Sequence, residues 1–562
     1  MYYSFTVSIP SEHVVRIRHE GVVYIYYEYG RTYDKDKKYN APKRMGIGKQ
    51  VVGDETKMYP NQNYFRQFPD SAEKPEESSY ERRSSALEIG SYIVIKKIIH
   101  SLGIDTIVTD MAGSGDGGLL LDFAAYSLIT EDNAAQYYPD YAYHHALFTE
   151  GMRIFNDSKI SSFLSDLGEE ASSAFLSRWN AKMDHREKIY ISYDSTNKNS
   201  QAGDLKLVEY GKPKDDKGLP IFGYSIAYDK TNSQPLFYEK YPGSIVDVSQ
   251  LEFMLEKAKA YGYRNATFIL DRGYFSEYNF KYMDDNGYDF IILLKGKKNV
   301  VKAAYDAKHG TFENKKGFYI KNYGVYGTTV ELPVFSGDKP RYVHIYFDIG
   351  KRAGEQKKLE ETFNRMSEAI DKRIGKKFEF SGKFLEYYDI TYDKDGKVLF
   401  YEEKDGVREE LVELCGYTCI VTSEKMTAGD ALDRYKSRDE SEKLFRGDKS
   451  YLGNKSMRTY TEEKTEAKIL IEFIALIIRS RIYTNIHLAT LNLVTKPNYS
   501  TVPAVMRELE KIEMSRGFDD VYRLDHAITK KQREILSYFG ISEQDVRDEA
   551  KVISEKLRKK EV

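Results

Sequence analysis

The sequence has few cysteines, a single tryptophan and almost no net charge. Its 562 residues contain two cysteines, Cys415 and Cys419, and the 85 basic and 87 acidic residues leave a formal net charge of -2. The C-x3-C spacing is not accompanied by a second pair of cysteine or histidine ligands, which argues against a zinc site. We therefore expect both cysteines to be small buried side chains, in a protein of a reducing compartment.

The sequence also lacks a segment that would enter a membrane. Its first residues, MYYSFTVSIPSEHVV, have no basic region followed by an apolar stretch, so we predict no signal peptide. The most apolar run, ILIEFIALII at 469–478, contains a glutamate and is too short to cross a bilayer. We expect a soluble, cytoplasmic protein with no membrane partner.

The balanced charge argues against a protein that coats nucleic acid through bulk charge. Basic residues nevertheless cluster at 295–302, 372–377 and 556–560. Because the electric field depends on how charge is distributed, these clusters leave open a local basic groove. For any one of them, a solvated surface of mixed charge is the expected role.

The length predicts about two to four domains, and composition and periodicity divide the chain into six segments. These are a β-rich N-terminal segment at 1–80, a helical region for recognition or bracing at 81–185, the first part of an α/β core at 186–299, a mostly β insertion domain at 300–425, the second part of the core at 426–495, and a charged helical tail at 496–562.

The α/β core predicts a specific sheet. Strands and helices at 188–295 follow the order β-β-β-α-β-α-β, with Asp194 at the end of the first strand and Asp271 at the end of the fourth. This is the order of the ribonuclease H-like fold, in which the first and fourth strands are neighbours. The two aspartates would then lie together at the carboxyl ends of strands, where the active sites of open α/β sheets are found.

A third candidate acid lies far downstream, in the pattern Y-x2-R-x3-E-x6-K. Its residues are Tyr435, Arg438, Glu442 and Lys449. On a helix the first three fall at i, i+3 and i+7, hence on one face. Three converging carboxylates hold two divalent metal ions that drive attack on a phosphodiester, and carboxylate oxygens favour Mg²⁺ or Mn²⁺ over zinc. A guanidinium and a tyrosine hydroxyl beside them suit a DNA strand.

Together these motifs resemble the DDE transposases of bacterial insertion sequences, above all the superfamily of insertion sequence family four, whose signature is the Y-R-E-K pattern. The resemblance covers roughly 90–490 and includes DST at 194–196 and DRGY at 271–274. It implies a ribonuclease H-like core and cut-and-paste transposition with two Mg²⁺ or Mn²⁺ ions. The implied partners are transposon-end DNA, target DNA and a second copy of the chain in a synaptic homodimer.

The resemblance assigns roles residue by residue. It implies that the catalytic metal ligands are Asp194, Asp271 and Glu442, and that the contacts to transposon-end DNA are Tyr435, Arg438 and Lys449.

Two alternatives use the same residues. One is a ribonuclease H-like, metal-dependent nuclease that no longer transposes, and the other is a domesticated DNA-binding protein without activity. An intact set of three acids argues against the second. Structural roles are also open, since Asp194 could cap a turn and Asp271 could pair with Arg272 or cap a turn before Gly273.

Four neighbouring residues complete the predictions. Asn197 and Lys198 follow the first aspartate and are predicted to line the substrate groove. Tyr274 and Phe445 could stack on a flipped base, although packing is the expected role of each.

Overall fold

The computed structural model divides into two compact units, Met1–Arg82 and Arg83–Val562. It describes every residue except 1, 3–5, 20, 35–37, 70, 72–82, 184, 201–204, 212–218, 246, 295–297, 439–455, 496, 518–520 and 559–562. Within this described part of the chain, no helix has the length and apolar character needed to cross a membrane.

The first unit is an antiparallel sheet with one short helix. Its elements are β1 (Val7–Ser8), β2 (Val14–His19), β3 (Val22–Asp34), β4 (Tyr39–Gln50), β5 (Lys57–Pro60) and α1 (Gln62–Gln67), with strand order β1-β5-β4-β3-β2. Buried Ile25, Ile47 and Met58 form its core together with Tyr64 of the helix. The predicted β-rich character of 1–80 agrees with these strands.

The second unit begins with a short strand and four helices. They are β6 (Ala86–Glu88), α2 (Gly90–Leu102), α3 (Ile104–Thr130), α4 (Tyr138–His144) and α5 (Asp157–Ala181). Gly103 ends α2 with a φ of 62°, a left-handed conformation that glycine adopts without strain. Trp179 is buried, and its Nε1 donates to the carbonyl of Pro235 at 2.9 Å, so the single tryptophan is a core residue.

A ten-stranded sheet forms the centre of this unit. Its first part contains β7 (Ile189–Ser200), β8 (Ile221–Asp229), β9 (Gln234–Pro242), α6 (Asp247–Ala260), β10 (Ala266–Leu270), α7 (Glu277–Asp285) and β11 (Asp289–Leu293). This is the predicted order of strands and helices. The predicted neighbours also pair, since β7 and β10 lie side by side and run parallel.

The segment at 300–425 contributes to the same sheet. Its elements are α8 (Lys298–Lys308), β12 (Tyr319–Ile320), β13 (Val325–Leu332), β14 (Arg341–Phe347), α9 (Ile349–Asp371), α10 (Lys383–Tyr387), β15 (Tyr388–Tyr392), β16 (Val398–Glu403), α11 (Val407–Glu413) and β17 (Tyr417–Thr422). β17 pairs with β11, and β14, β13 and β12 continue the sheet outward. Only the β15–β16 hairpin and its helices have a separate small core, around Phe363, Ile370 and Tyr388. The interpretation of the whole segment as an insertion stays a prediction.

The last part of the chain returns to the helical side. Its elements are α12 (Ala428–Lys436), β18 (Ser456–Met457), α13 (Glu462–Thr490), α14 (Val502–Leu509), β19 (Glu513–Arg516), β20 (Tyr522–Leu524), α15 (Lys530–Ser537) and α16 (Glu543–Arg558). α13 is largely buried and packs against α3 and α5. The tail is not purely helical, because β19 pairs with both β20 and β6, more than 400 residues earlier. Because its pairing partner is so distant in the sequence, the residues around β19 contain no local pattern that predicts this strand.

Alternation along the central strands separates two packed faces. On β10, Phe268 and Leu270 point into the main core, whereas Ile269 points into a second core under α12. Leu432 and Tyr435 of α12 belong to that second core. This packing holds the C-terminal end of α12 over the central strands.

Candidate active site

Asp194 and Asp271 stand level with each other on neighbouring strands. The last paired residues of β7 and β10 are Tyr193 and Leu270, and each is followed directly by an aspartate. β10 ends there, as predicted, but β7 does not. It continues to Ser200 because its other edge pairs with β8 as far as Asn199. Asp194 therefore lies in mid-strand, at the point where its neighbour stops.

Backbone hydrogen bonds fix part of each carboxylate. Oδ1 of Asp194 accepts from the backbone N–H of Ser195 at 2.9 Å, and Oδ1 of Asp271 accepts from that of Arg272 at 2.7 Å. Asp271 thereby caps the short 3₁₀ turn Arg272–Tyr274, so the predicted capping alternative is part of its environment. Both side chains are held at defined positions along the strand ends.

Arg438 joins the two aspartates. Its Nη1 lies 3.4 Å from Oδ2 of Asp194 and its Nη2 lies 3.9 Å from Oδ1 of Asp271. The side chains of Arg438 and Asp194 are 16% and 14% exposed, and that of Asp271 is 36% exposed. Two carboxylates thus share one cation at a site that solvent still reaches.

The helix that precedes Arg438 is shorter than predicted. α12 ends at Lys436 with Ser437 as its cap, so Arg438 follows the helix instead of lying on its face. The hydroxyl of Ser437 donates to the carbonyl of Arg434 at 2.6 Å, which satisfies one of the last free carbonyls of the helix. The backbone N–H of Arg438 donates to the carbonyl of Tyr435 at 3.1 Å, so the two residues keep their i, i+3 relation in a turn just beyond the helix.

Tyr435 lies beneath this ion cluster. It is 9% exposed, and the guanidinium carbon of Arg438 is 5.9 Å from the centre of its ring. Burial raises the pKa of Tyr435 to about 12, with Arg438 opposing and Asp271 adding to the rise. The hydroxyl is therefore protonated near neutral pH and able to donate a hydrogen bond.

The other residues of the pattern lie outside the described part of the chain. Glu442, Phe445 and Lys449 fall within 439–455. Their roles stay predictions.

The donor chemistry at Asp194 and Asp271 fits a hard divalent cation. Carboxylate oxygens are the ligands that Mg²⁺ and Mn²⁺ take in proteins. The two carboxylates stand side by side and already face one cationic group, Arg438. Their environment is thus one that stabilises positive charge between them.

A second cluster, which the sequence did not reveal, lies among the helices. Ligand atoms of Glu88, His145 and Glu510 lie within 4.8 Å of one another, a spacing that a metal ion also accepts. Nε2 of His145 is 2.7 Å from Glu510 and 3.0 Å from Glu88, and its Nδ1 donates to the carbonyl of Tyr141 at 2.7 Å. We refer to these three residues as the His145 cluster. Its members lie 57 and 365 positions apart, so no motif links them.

Charges within the His145 cluster stabilise one another. Burial alone would lower the pKa of His145, but the hydrogen bonds to Glu510 and Glu88 outweigh it and raise this pKa to about 9. Burial would raise the pKa of Glu88, but the bond from His145 helps to lower it to about 2. Burial and the hydrogen bond with Glu88 raise the pKa of Glu510, so the two acids are not equivalent. We interpret the cluster as an imidazolium that holds two adjacent acids together.

Two of the four neighbouring predictions have an outcome. Lys198 is fully buried, and its Nζ lies 2.7 Å from Glu472 of α13, so it does not line a groove as predicted. The reason is that β7 continues under α13 instead of ending at Asp194. Tyr274 is 1% exposed and packs against Tyr193 with ring centres 5.4 Å apart, which confirms the expected packing role.

Residues 191–478, just over half of the chain, match the family model described as "Transposase DDE domain". The matched range begins in β7, ends in α13 and includes both aspartates and Arg438. Among solved structures, the chain is similar to a "Cryo-EM structure of piggyBac transposase synaptic complex with hairpin DNA (SNHP)". The TM-score is 0.30 at 10% identity, over 63% of this chain and 59% of that one. No curated protein matches the sequence.

Proposed function

This chain belongs to the transposase DDE domain family, and we propose that it is a DNA transposase that cuts transposon ends and joins them to target DNA. The observation that carries the proposal is the pair of level aspartates, Asp194 and Asp271, which share Arg438 at the ends of two parallel strands. Active sites of open α/β sheets lie at such carboxyl ends.

The metal is the first component of the proposed chemistry. Asp194, Asp271 and the predicted third ligand Glu442 would hold Mg²⁺ or Mn²⁺, in two ions by analogy with the family. Bound there, the ions would activate the attacking oxygen and stabilise the leaving oxygen of a phosphodiester. Asp271 is 36% exposed, so a bound DNA backbone would be able to reach its carboxylate.

The protein's own groups would position the DNA. The guanidinium of Arg438 lies within 4 Å of both aspartates, so a phosphate that reaches these carboxylates also reaches Arg438, which suits two-point binding of its oxygens. The protonated hydroxyl of Tyr435 would donate to the same backbone. Lys449 is the third predicted DNA contact.

The same proposal includes the finer fold and the assembly. The strand order β9-β8-β7-β10-β11 supports a ribonuclease H-like core, with 300–425 as an insertion that widens its sheet. The active form would be a homodimer in a synaptic complex, acting on chromosomal DNA in the bacterial cytoplasm.

Cleavage of the DNA that flanks the gene tests the proposal. Purified full-length protein with Mg²⁺ should nick a duplex of the flanking end, leave a 3′-OH and join that end to a target plasmid. Asp194→Asn should abolish both steps while the duplex still binds. A matched control is Asp289→Asn. Asp289 is the first residue of β11, whereas Asp271 follows the last residue of the parallel neighbour β10, and the Asp289 carboxylate lies 2.6 Å from Lys188.

The products separate the alternatives. Metal-dependent cutting without joining would favour the nuclease, and binding without either step would favour the DNA-binding protein. Full activity of the Asp194→Asn protein would remove the assignment of this site.

A further inference from the structure

A groove outside the aspartate site lies between α5 and α13, and we name it the α5–α13 groove. Its walls include Ser161 and Leu164 of α5, Lys464 and Lys468 of α13, and Met457 and Tyr460 of the segment that leads into α13. Its volume is about 760 Å³, within the range of about 300–1,000 Å³ that is usual for ligand sites.

The base of this groove contains a buried ammonium group. Lys468 is 6% exposed, and among the described residues no atom accepts a hydrogen bond from its Nζ. The acid one turn further along α13, Glu472, has its Oε2 bound by Lys198 at 2.7 Å. A buried charge without a hydrogen-bond partner is destabilising by several kcal/mol. Glu472 offsets this cost only in part, so a further anion at this place would stabilise the charged lysine.

The charged groups around Lys468 agree with this. Arg458 lies near enough to disfavour its charge, and burial lowers the pKa of Lys468 to about 8. Asp132 and Glu472 partly offset these effects. Asp132 also lies 3.7 Å from Arg458, whose side chain is 61% exposed. The groove wall contains one acid, Asp157, and three cations, Arg458, Lys464 and Lys468.

The groove is connected to the aspartate site by a strand. β18, which brings Ser456 and Met457 into the groove wall, pairs with Asn199 and Ser200 of β7. From Asp194 to Asn199 a strand extends by about 17 Å, at about 3.3 Å per residue. That distance corresponds to about five base pairs of duplex DNA. A DNA molecule that reaches Asp194 therefore has further phosphates at the distance of the groove.

We propose that the α5–α13 groove binds the DNA backbone, with Lys468 as the buried contact to a phosphate and Lys464 and Arg458 as contacts at the rim. The proposal rests on the proposed function, and it adds a second DNA contact remote from the aspartates. Tyr460 is 84% exposed in the wall of the groove, where its ring is available to stack on a base or sugar. Lys464, which now donates to Ser161 at 2.7 Å, would turn toward the phosphate.

Salt-dependent DNA binding tests the proposal. A fluorescein-labelled duplex of about 30 base pairs is titrated with the full chain without divalent metal, at several salt concentrations. Lys468→Met should weaken binding about tenfold and reduce the slope of log affinity against log salt by about 1. Lys464→Met should weaken binding about threefold. The matched control is Lys551→Met, which removes the same charge from an exposed site on α16 and should change affinity less than twofold.

Methionine has nearly the length of lysine and needs no partner, so Lys468→Met should fold, with a melting temperature at or above that of the wild type. Wild-type affinity and slope in this variant would overturn the proposal. So would binding of inorganic phosphate that depends on Lys468 while DNA affinity does not change. Loss of DNA affinity in the variant, combined with a wild type that never cleaves DNA, would remove the proposed function and leave the groove as a DNA site.

Discussion

Arg438 and His145 each lie between two carboxylates in the Arg83–Val562 unit. At the ends of β7 and β10, Arg438 approaches Asp194 and Asp271 at 3.4 and 3.9 Å. In the His145 cluster, the imidazole approaches Glu510 and Glu88 at 2.7 and 3.0 Å. The composition is alike, but the distances and the surroundings differ.

The difference separates a ligand site from a structural clamp. His145 is 8% exposed, its other nitrogen is bound to the Tyr141 carbonyl, and short charge-assisted bonds of this kind are strong. Arg438 is held at longer distances beside an aspartate that is more than one third exposed, so its guanidinium can be exchanged for a metal ion or turned to a phosphate. We therefore expect the first pair to act in catalysis and the second to act in stability.

The largest expected effects differ between the two sites: a loss of cleavage at the aspartates and a loss of stability at the His145 cluster. Asp271→Asn should reduce metal-dependent cleavage at least about 10³-fold, because it removes a metal ligand, yet change the free energy of unfolding by about 1 kcal/mol or less. Glu510→Gln should leave cleavage within about threefold and destabilise the protein by about 2 kcal/mol. Cleavage assays and urea unfolding of both variants measure this. Equal loss of cleavage in both would erase the distinction between the two places.

The next effect isolates the histidine. His145→Gln leaves two carboxylates close together without their cation, so it should lower the free energy of unfolding by about 3 kcal/mol. His144→Gln is the matched control, since this adjacent residue is exposed and should change stability by about 0.5 kcal/mol or less. Chemical denaturation gives both values. A stable His145→Gln protein would contradict the clamp.

The same residue predicts a pH dependence. Because the pKa of His145 is raised from 6.5 to about 9 in the folded protein, its contribution is complete below pH 6.5 and is lost as the pH rises through 9. The difference in unfolding free energy between wild type and His145→Gln should thus shrink between pH 6.5 and 9. Urea unfolding at pH 6, 7.5 and 9 tests this, and a difference that grows with pH would show the opposite sign.

The smallest expected effect concerns Arg438. Arg438→Met should weaken DNA binding about tenfold through loss of one charge-assisted phosphate contact. Arg434→Met is the control from the preceding turn of α12, because that guanidinium lies 4.0 Å from the ring of Tyr190. Binding titrations should show little change in the control. Similar losses in both would indicate a general charge effect instead of a placed contact.

Much of the local structure was predictable. The alternation and the turn residues at 188–295 led to the right order of strands and helices, and the parallel pairing of β7 and β10 followed from that order. Predictions of where a strand or helix ends were less accurate. β7 outlasts Asp194 because β8 continues to pair with it, and α12 stops before Arg438.

Burial and long-range pairing were the features that sequence patterns missed. Lys198 was expected in a groove, but it lies under α13 and pairs with Glu472, 274 residues later. The strands β19 and β20 were expected to be helical, and β19 pairs with β6 near the start of the unit. In both cases the partner lies hundreds of residues away, so neighbouring residues contain no signal for it.

By itself, the sequence determined which chemical groups are present and which local elements carry them. Two aspartates follow short apolar runs, and a tyrosine and an arginine lie three positions apart. Hydrogen bonding and side-chain periodicity within a few residues are enough to set those elements. Only the tertiary structure decided that Asp194 and Asp271 stand level and that Arg438 lies between them. It also decided that His145 is buried against two acids, whereas Lys468 is buried without a hydrogen-bond acceptor among the described residues. These outcomes depend on strand register and on the packing of distant helices, in which desolvation and charge pairing act across the whole fold.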